Sequence, residues 1–429
     1  MRKQLLLTIA VLCAMANVQG KSKSEKKSEL KKQKTEIVVN GEKNTNQIDG
    51  TSAITVAESI GLGWNLGNQM DAFSGEAANE TCWGNSVATQ EAFYKLKAAG
   101  FSSVRIPVTW LGHFGEAPDY KIEDRWMDRV NELVGYAEKA GLKAIINIHH
   151  DGSESKHWLN IVKAVNDSSA NEAIKNQLSA LWKQISNRFK YAGDFLIFET
   201  MNEIHDGGWG WGENRKDNGK QYAILNEWVQ VCVDAIRSTG GANATRYIGV
   251  PGYCANPDLT MSNLVLPKDP AKGRLLVSVH FYDPYDYAIA DVNTQWGHTA
   301  LNEKKASWGD ESNVTNIFTN LKKTYVDKGI PVYIGEFGSV HRRDEISEKF
   351  RMYYIEYVTK AARANHISIF FWDNGATTSG KESFGIINHS TGDFINNGKE
   401  VIDVLTKSYH SNDSNYTLET IYESAPAAR

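Results

Sequence analysis

Between Ile60 and Trp372 the chain repeats one pattern eight times: a short apolar, β-branched run, then a longer segment with helical spacing. The runs are Ile60–Asn65, Ser103–Val108, Lys143–His149, Phe195–Asn202, Arg246–Val250, Leu275–His280, Val332–Glu336 and Ile367–Trp372. Helical periodicity fills most intervals, at Thr89–Ala99, Trp126–Ala140, Ala170–Phe189, Gln221–Ser238, Asn313–Asp327 and Glu345–Ala364, and Val401–Ser408 follows the last run. The fifth interval holds only the short segment Pro257–Leu266. Glycines stand where helix ends want them, at Gly100, Gly141, Gly193 and Gly329. Strands joined by crossover helices pair in parallel, and eight such units close into a (β/α)8 TIM barrel. The chain of 429 residues therefore reads as one large α/β domain over residues 50–410.

A barrel of this kind gathers its reactive groups at the C-terminal ends of its strands. Here those ends are polar and aromatic: GWNLGN after the first run, Arg105 in VRIPVTW, then His149-His150-Asp151, Asn202-Glu203, His280-Phe281-Tyr282, Glu336, and Phe371-Trp372-Asp373-Asn374. Two of them deliver a carboxylate, Glu203 in FLIFETMNEIHD and Glu336 in PVYIGEFG. Two carboxylates on separate strand ends are the minimum equipment for cleaving a glycosidic bond. Twelve Trp and eighteen Tyr point the same way, since they exceed what a core of this size needs and indole faces suit sugar rings. Trp83, Trp158 and Trp296 are each better read as core or loop packing. Two other readings exist. His149, His150, Asp151 and His280 could ligate a metal, which leaves the acid pair without a task. A glycan-binding protein without activity would not need both acids.

Outside the barrel the composition changes. Arg2 and Lys3, an apolar stretch from Leu5 to Ala16, and the small residues Ala14 and Ala16 read as an export signal over residues 1–20, too short for a stable membrane span. Residues 21–49 are rich in Lys, Ser and Glu and read as a disordered tether. After Ser411 the chain turns polar and is expected to fray as a tail over 411–429. Net charge of -4 without a recurring basic stripe argues against nucleic acid as a partner. Removal of the leader and Cys13 leaves Cys82, Cys232 and Cys254, an odd set that cannot fully pair within one chain.

Seven motifs in order, GWNLGN, VRIPV, INIHHD, FETMNE, HFYDPY, YIGEFG and FFWDNG, resemble glycoside hydrolase family 5, the cellulase-type retaining β-glycanases, from about Ile54 to Tyr409. The resemblance implies Glu203 as acid/base and Glu336 as nucleophile, with Arg105, His149, Asn202, His280, Tyr282 and Trp372 around them. His150 and Asn65 match less specifically. It implies no cofactor and no metal, a β-linked polysaccharide as partner, and a secreted endo-β-1,4-glucanase, expected to be a monomer. A mannanase, xyloglucanase or mixed-linkage glucanase on the same barrel is the alternative. The insertion Gly207-Gly208-Trp209-Gly210-Trp211 after the acid/base is not general in the family, and places Trp209 and Trp211 as sugar platforms on the leaving-group side. Physically, Arg105 and Tyr282 are expected to stabilise an anionic Glu336, while an aromatic wall and the charge of Glu336 are expected to raise the pKa of Glu203. Asn202 can hold a sugar 2-hydroxyl, and Trp372 can lie flat beneath a ring.

Overall fold

The computed structural model describes residues 50–428, so the leader and tether readings fall outside the described residues. Eight parallel strands form a closed barrel: β1 (Leu62–Leu66), β2 (Ser103–Ile106), β3 (Lys143–Asn147), β4 (Leu196–Glu199), β5 (Ile248–Pro251), β6 (Leu275–Phe281), β7 (Val332–Phe337) and β8 (Ser368–Asp373). Each pairs with its neighbours in sequence. Closure comes from β1 against β8, with Leu62 opposite Ile369 and Leu66 opposite Asp373.

Nearly every strand residue is buried, because helices cover the outer face while side chains fill the interior. The helices Gln90–Ala98, Asp124–Ala140, Ser168–Arg188, Lys220–Ser238, Pro257–Asn263, Glu311–Thr324, Glu345–Ala364 and Gly398–His410 form that outer layer. Their apolar faces follow the 3.6-residue period. Asp124–Ala140 buries Trp126, Val130, Leu133, Val134 and Ala137, and each large apolar side chain so buried contributes about 1.5–3 kcal/mol of transfer free energy. Side-chain caps set several starts: Asp167, Asn256, Asp310 and Asp344 each accept a backbone N–H from the first turn that follows.

Inside the barrel, Ile145, Ile197, Leu276, Tyr333 and Phe370 pack together with Val56 and Ile60 into a second apolar cluster. Val56 and Ile60 come from a helix, Gly50–Ile60, that precedes β1 and that the sequence reading missed. Inward positions further along the strands change from apolar to charged. Where β6 meets β7 the register shifts: Val279 faces Ile334 but His280 faces Glu336, so Gly335 is the extra residue of a bulge. A Cβ on Gly335 would lie 3.0 Å from His280 Nε2 and 3.2 Å from Ser278 Oγ, so any larger residue there would press on the His280 ring.

Strand bounds match the sequence reading to within a few residues, with one difference that matters. β4 stops at Glu199, and Thr200 and Met201 carry the chain out of the sheet before Asn202 and Glu203. The C-terminal segment also departs from expectation. Instead of fraying, Leu418–Glu423 forms a helix with a capping box between Thr417 and Thr420; Ile421 is buried and Tyr422 stacks on His298 at 3.7 Å. Its polar composition hides one apolar anchor and one aromatic contact. Cys82, Cys232 and Cys254 are all free, which goes beyond the odd number, since that excluded only a fully paired set.

Candidate active site

At the C-terminal ends of the strands, Arg105 is the centre of the charged layer. It projects from β2, is fully buried, and donates hydrogen bonds from all three of its nitrogens to oxygens. Nε donates to Glu199 Oε2 at 2.8 Å, Nη1 to Glu336 Oε1 at 2.7 Å and Asn65 Oδ1 at 3.1 Å, and Nη2 to Asn202 Oδ1 at 2.7 Å. Nη2 also lies 2.8 Å from Glu199 Oε2. One cation thereby fixes two carboxylates and two amides. Asn65 is locked in turn, its Nδ2 donating to Gly335 O at 2.9 Å in the bulge beside Glu336.

Glu336 receives a second donor on its other oxygen, the Tyr282 hydroxyl at 3.2 Å. His280 stands between the two acids: its Nδ1 is 2.7 Å from Glu203 Oε1 and 3.6 Å from Glu336 Oε2. One oxygen of Glu203, one of Glu336 and a His280 nitrogen all lie within 4.8 Å of one another. His149 faces the site from β3, with Nε2 3.9 Å from Glu336 Oε1. The Asn147 amide donates to His149 Nδ1 at 3.1 Å, which leaves the ring proton on Nε2. Burial, with the charges of His150, Arg105 and His280, holds His149 well below the usual imidazole value, so it is neutral. The Trp372 and His149 rings are parallel to within 7° at 6.1 Å.

Electrostatics correct one expectation. Burial is the largest influence on Glu203 and pushes its pKa up, but the His280 charge and hydrogen bond outweigh it, so Glu203 is held below its ordinary value. Glu336 goes the other way, because burial outweighs the attraction of His280 and Arg105 and the Glu203 charge adds to it. The sequence reading had these directions reversed, since it weighed the aromatic wall and not a histidine between the acids. For His280 itself burial is again the largest effect and lowers the pKa, yet the Glu336 and Glu203 charges overcome it and the net shift is upward. The three groups thus share protons as one system.

This shift fixes the sign of a stability change. A histidine with a raised folded pKa adds stability that is complete below its unfolded value, near 6.5, and is lost as pH rises through the raised value. His280→Gln is expected to flatten the fall in melting temperature on going from pH 6 to pH 9. Thermal melts of both proteins at these pH values measure it, and equal falls would show that His280 is not charged in the fold.

The structure brings only part of the alternative metal set together: His149 and His150 come within 4.8 Å of each other and of Asp71, not of Asp151. Asp151 is committed elsewhere, accepting from the Trp110 amide at 2.9 Å and Trp158 Nε1 at 2.7 Å. His150 instead lies 3.9 Å from Asp71, a carboxyl that burial pushes up to about 7 against hydrogen bonds from the Gln69 and Asn68 amides. Trp296 is core and Trp158 is partly buried, as expected. Trp83 packs in a loop, its Nε1 donating to Phe73 O at 2.9 Å, but it is 40% exposed and also lines a cavity of about 590 Å³ with Asn68, Asn374 and His389.

Trp209 and Trp211 sit on the loop after Glu203, 53% and 81% exposed. The loop is built around Asp206, which accepts from the Gly208 and Asn214 amides at 2.9 and 3.0 Å and from Gln221 Nε2 at 3.2 Å. Gly212 is obligatory there, because a Cβ would fall 2.4 Å from Asp206 Oδ1. Trp209 leans on His205 at 4.2 Å, and Arg215 lies over the Trp211 ring at 4.5 Å. Both indoles are held in place while remaining open to solvent.

Two buried groups of this layer escaped sequence reading. Glu199 and Asn147 lie inside β4 and β3, where a run of apolar neighbours masks them. A charged residue within an otherwise apolar strand, as in LIFETMN, was the available signal.

The model of the cellulase family, glycosyl hydrolase family 5, matches residues 67–378. Endoglucanase A of Paenibacillus barcinonensis is 36% identical over 354 residues, covering 79% of this chain and 86% of that protein. Among solved structures, a Bacteroidetes-affiliated GH5 cellulase linked with a polysaccharide utilization locus superposes with a TM-score of 0.85 at 52% identity, covering 87% of this chain and 98% of its own. A GH5-4 broad specificity endoglucanase from Bacteroides salanitronis gives 0.83 at 57% identity, covering 86% and 98%.

Proposed function

The chain belongs to glycosyl hydrolase family 5, and from that premise we propose how its residues divide the work of a retaining endo-β-1,4-glucanase. The carrying observation is the closeness of the acids. One oxygen of Glu203 within 4.8 Å of one of Glu336 suits a nucleophile and an acid/base about 5–5.5 Å apart better than the pair about 6.5–9.5 Å apart that an inverting enzyme keeps around a water.

Glu336 is the nucleophile. Arg105 and Tyr282 hold both its oxygens, and a carboxylate so fixed attacks the anomeric carbon without first reorienting. As the C1–O bond breaks, Glu203 gives its proton to the departing oxygen. The 2.7 Å contact with His280 supplies that proton: the pair holds it between Nδ1 and Oε1, and the developing negative charge on the leaving oxygen draws it across. Water then enters, Glu203 takes its proton, and hydroxide attack at C1 releases Glu336 as a carboxylate. Asn202, with its carbonyl tied to Arg105, presents its amide to the sugar 2-hydroxyl, Trp372 lies beneath the ring, and His149 and His150 complete the wall, while the fully buried Asn65 acts from behind by holding Arg105 and the bulge beside Glu336.

The substrate is a soluble or amorphous β-1,4-glucan. Assays on carboxymethyl cellulose, barley glucan, xyloglucan and mannan test this, with cleavage of the first expected to be accompanied by cleavage of another glucan, as the similarity to a broad specificity endoglucanase supports. Mannan cleaved faster than every glucan would overturn the reading. Among the described residues no helix is long and apolar enough to cross a membrane. A polymer too large to enter a cell and the leader-like N-terminus support export.

The loop after Glu203 rises on the leaving-group side, and Trp209 and Trp211 are its sugar platforms. Trp209→Ala and Trp211→Ala are expected to lower turnover of long polymer by about tenfold while sparing a short aryl glycoside that leaves those positions empty. Equal losses on both substrates, together with a lower melting temperature, would make the indoles structural.

A further inference from the structure

Glu199 is a fully buried carboxylate to which the catalytic cycle above gives no task. Both of its oxygens are fully engaged by side chains of four other strands. Oε2 accepts from Arg105 Nε and Asn147 Nδ2, both at 2.8 Å, and Oε1 accepts from Ser278 Oγ at 2.6 Å and Tyr333 OH at 2.8 Å. Arg105 therefore has two counterions in the resting site, Glu199 on one edge and Glu336 on the other. They differ in one respect: Glu336 loses its charge during the reaction and Glu199 does not.

When Glu336 becomes a glycosyl ester, a guanidinium with no exposed surface would be left without an opposing charge unless another carboxylate remained beside it. A buried cation in that position is costly. We propose that Glu199 is a positioning residue, the permanent counterion of Arg105, which keeps that guanidinium paired and in place while Glu336 passes from carboxylate to ester and back. The proposal rests on Glu336 being the nucleophile.

Charge counting gives it a kinetic signature. With Glu199 ionised, Arg105, Glu199 and Glu336 sum to one negative charge at rest and to zero in the ester. Without the Glu199 charge the sums are zero and one positive, so formation of the ester strands a cation and its breakdown relieves it. Glu199→Gln is thus expected to slow glycosylation by about tenfold or more, and to leave deglycosylation unchanged or faster. Glu336 would also lose a repelling neighbour and gain an undivided Arg105, so its pKa would fall. The acid limb of kcat/KM is expected to move to lower pH.

The test is stopped-flow release of dinitrophenol from an aryl cellobioside, which separates the two steps as burst rate and steady state, combined with a pH profile and a thermal melt. A smaller burst with an acid limb displaced downward supports the counterion role. Equal slowing of both steps with an unmoved acid limb would reduce Glu199 to a fold-stabilising residue and overturn the proposal. Should Glu199→Gln fail to fold, Glu199→Asp carries the test, since it keeps the charge but draws it back from Arg105. Selective slowing of glycosylation is then expected, with an acid limb close to wild type, and equal slowing of both steps or of neither would refute the idea. Trapping of the wild-type enzyme with a fluorinated cellobioside checks the nucleophile separately, so failure there is distinct from failure of the Glu199 role.

Discussion

Glu336→Gln is expected to leave the barrel folded and to lower turnover of soluble cellulose by at least about four orders of magnitude, because an amide oxygen does not attack the anomeric carbon at a useful rate. The fold survives because glutamine keeps an oxygen for Arg105 Nη1 or the Tyr282 hydroxyl, although its amide cannot accept from both. No burst appears even with a dinitrophenyl leaving group. The measurement is pre-steady-state release of dinitrophenol alongside polymer hydrolysis, and a residual burst would remove Glu336 from the nucleophile's position.

Glu203→Ala has an effect of similar size on polymer and a different one on activated substrates. A dinitrophenolate departs without protonation, so the ester still forms on Glu336 and accumulates, since the base that should activate water is gone. Burst amplitude near one per site, followed by very slow turnover, is expected. Azide needs no base, and at molar concentration it raises that slow rate by about a hundredfold and yields a β-glycosyl azide. If azide has no effect while the burst is normal, another group supplies the base.

What could be read from the sequence was whatever obeys local spacing. The apolar runs around VRIPV, INIHH and YIGEF carry their own period, so strand order and the strand-end positions of Arg105, His149, His280 and Glu336 followed from the chain directly. What escaped reading arises through space. Nothing near Glu203 in the sequence says that a histidine from β6 stands 2.7 Å away, and that neighbour reverses the expected order of the two carboxyl pKa values. Glu199 escaped for the same reason, since its four donors come from β2, β3, β6 and β7. The bulge at Gly335 is a register event between two strands, and the C-terminal helix depends on Ile421 and Tyr422 finding a surface elsewhere in the fold. In both cases the sequence holds the residues but not the partner.

The most direct test of the double displacement is to incubate the enzyme with 2,4-dinitrophenyl 2-deoxy-2-fluoro-β-cellobioside and map the modified peptide by mass spectrometry. The fluorine slows both steps and the activated leaving group restores the first, so the ester persists long enough to isolate. One fluorocellobiosyl group per chain, on the Pro331–Gly338 peptide at Glu336, is the expected outcome. A label on Glu203, or no label from an enzyme that releases the α-anomer first by proton NMR, would contradict it.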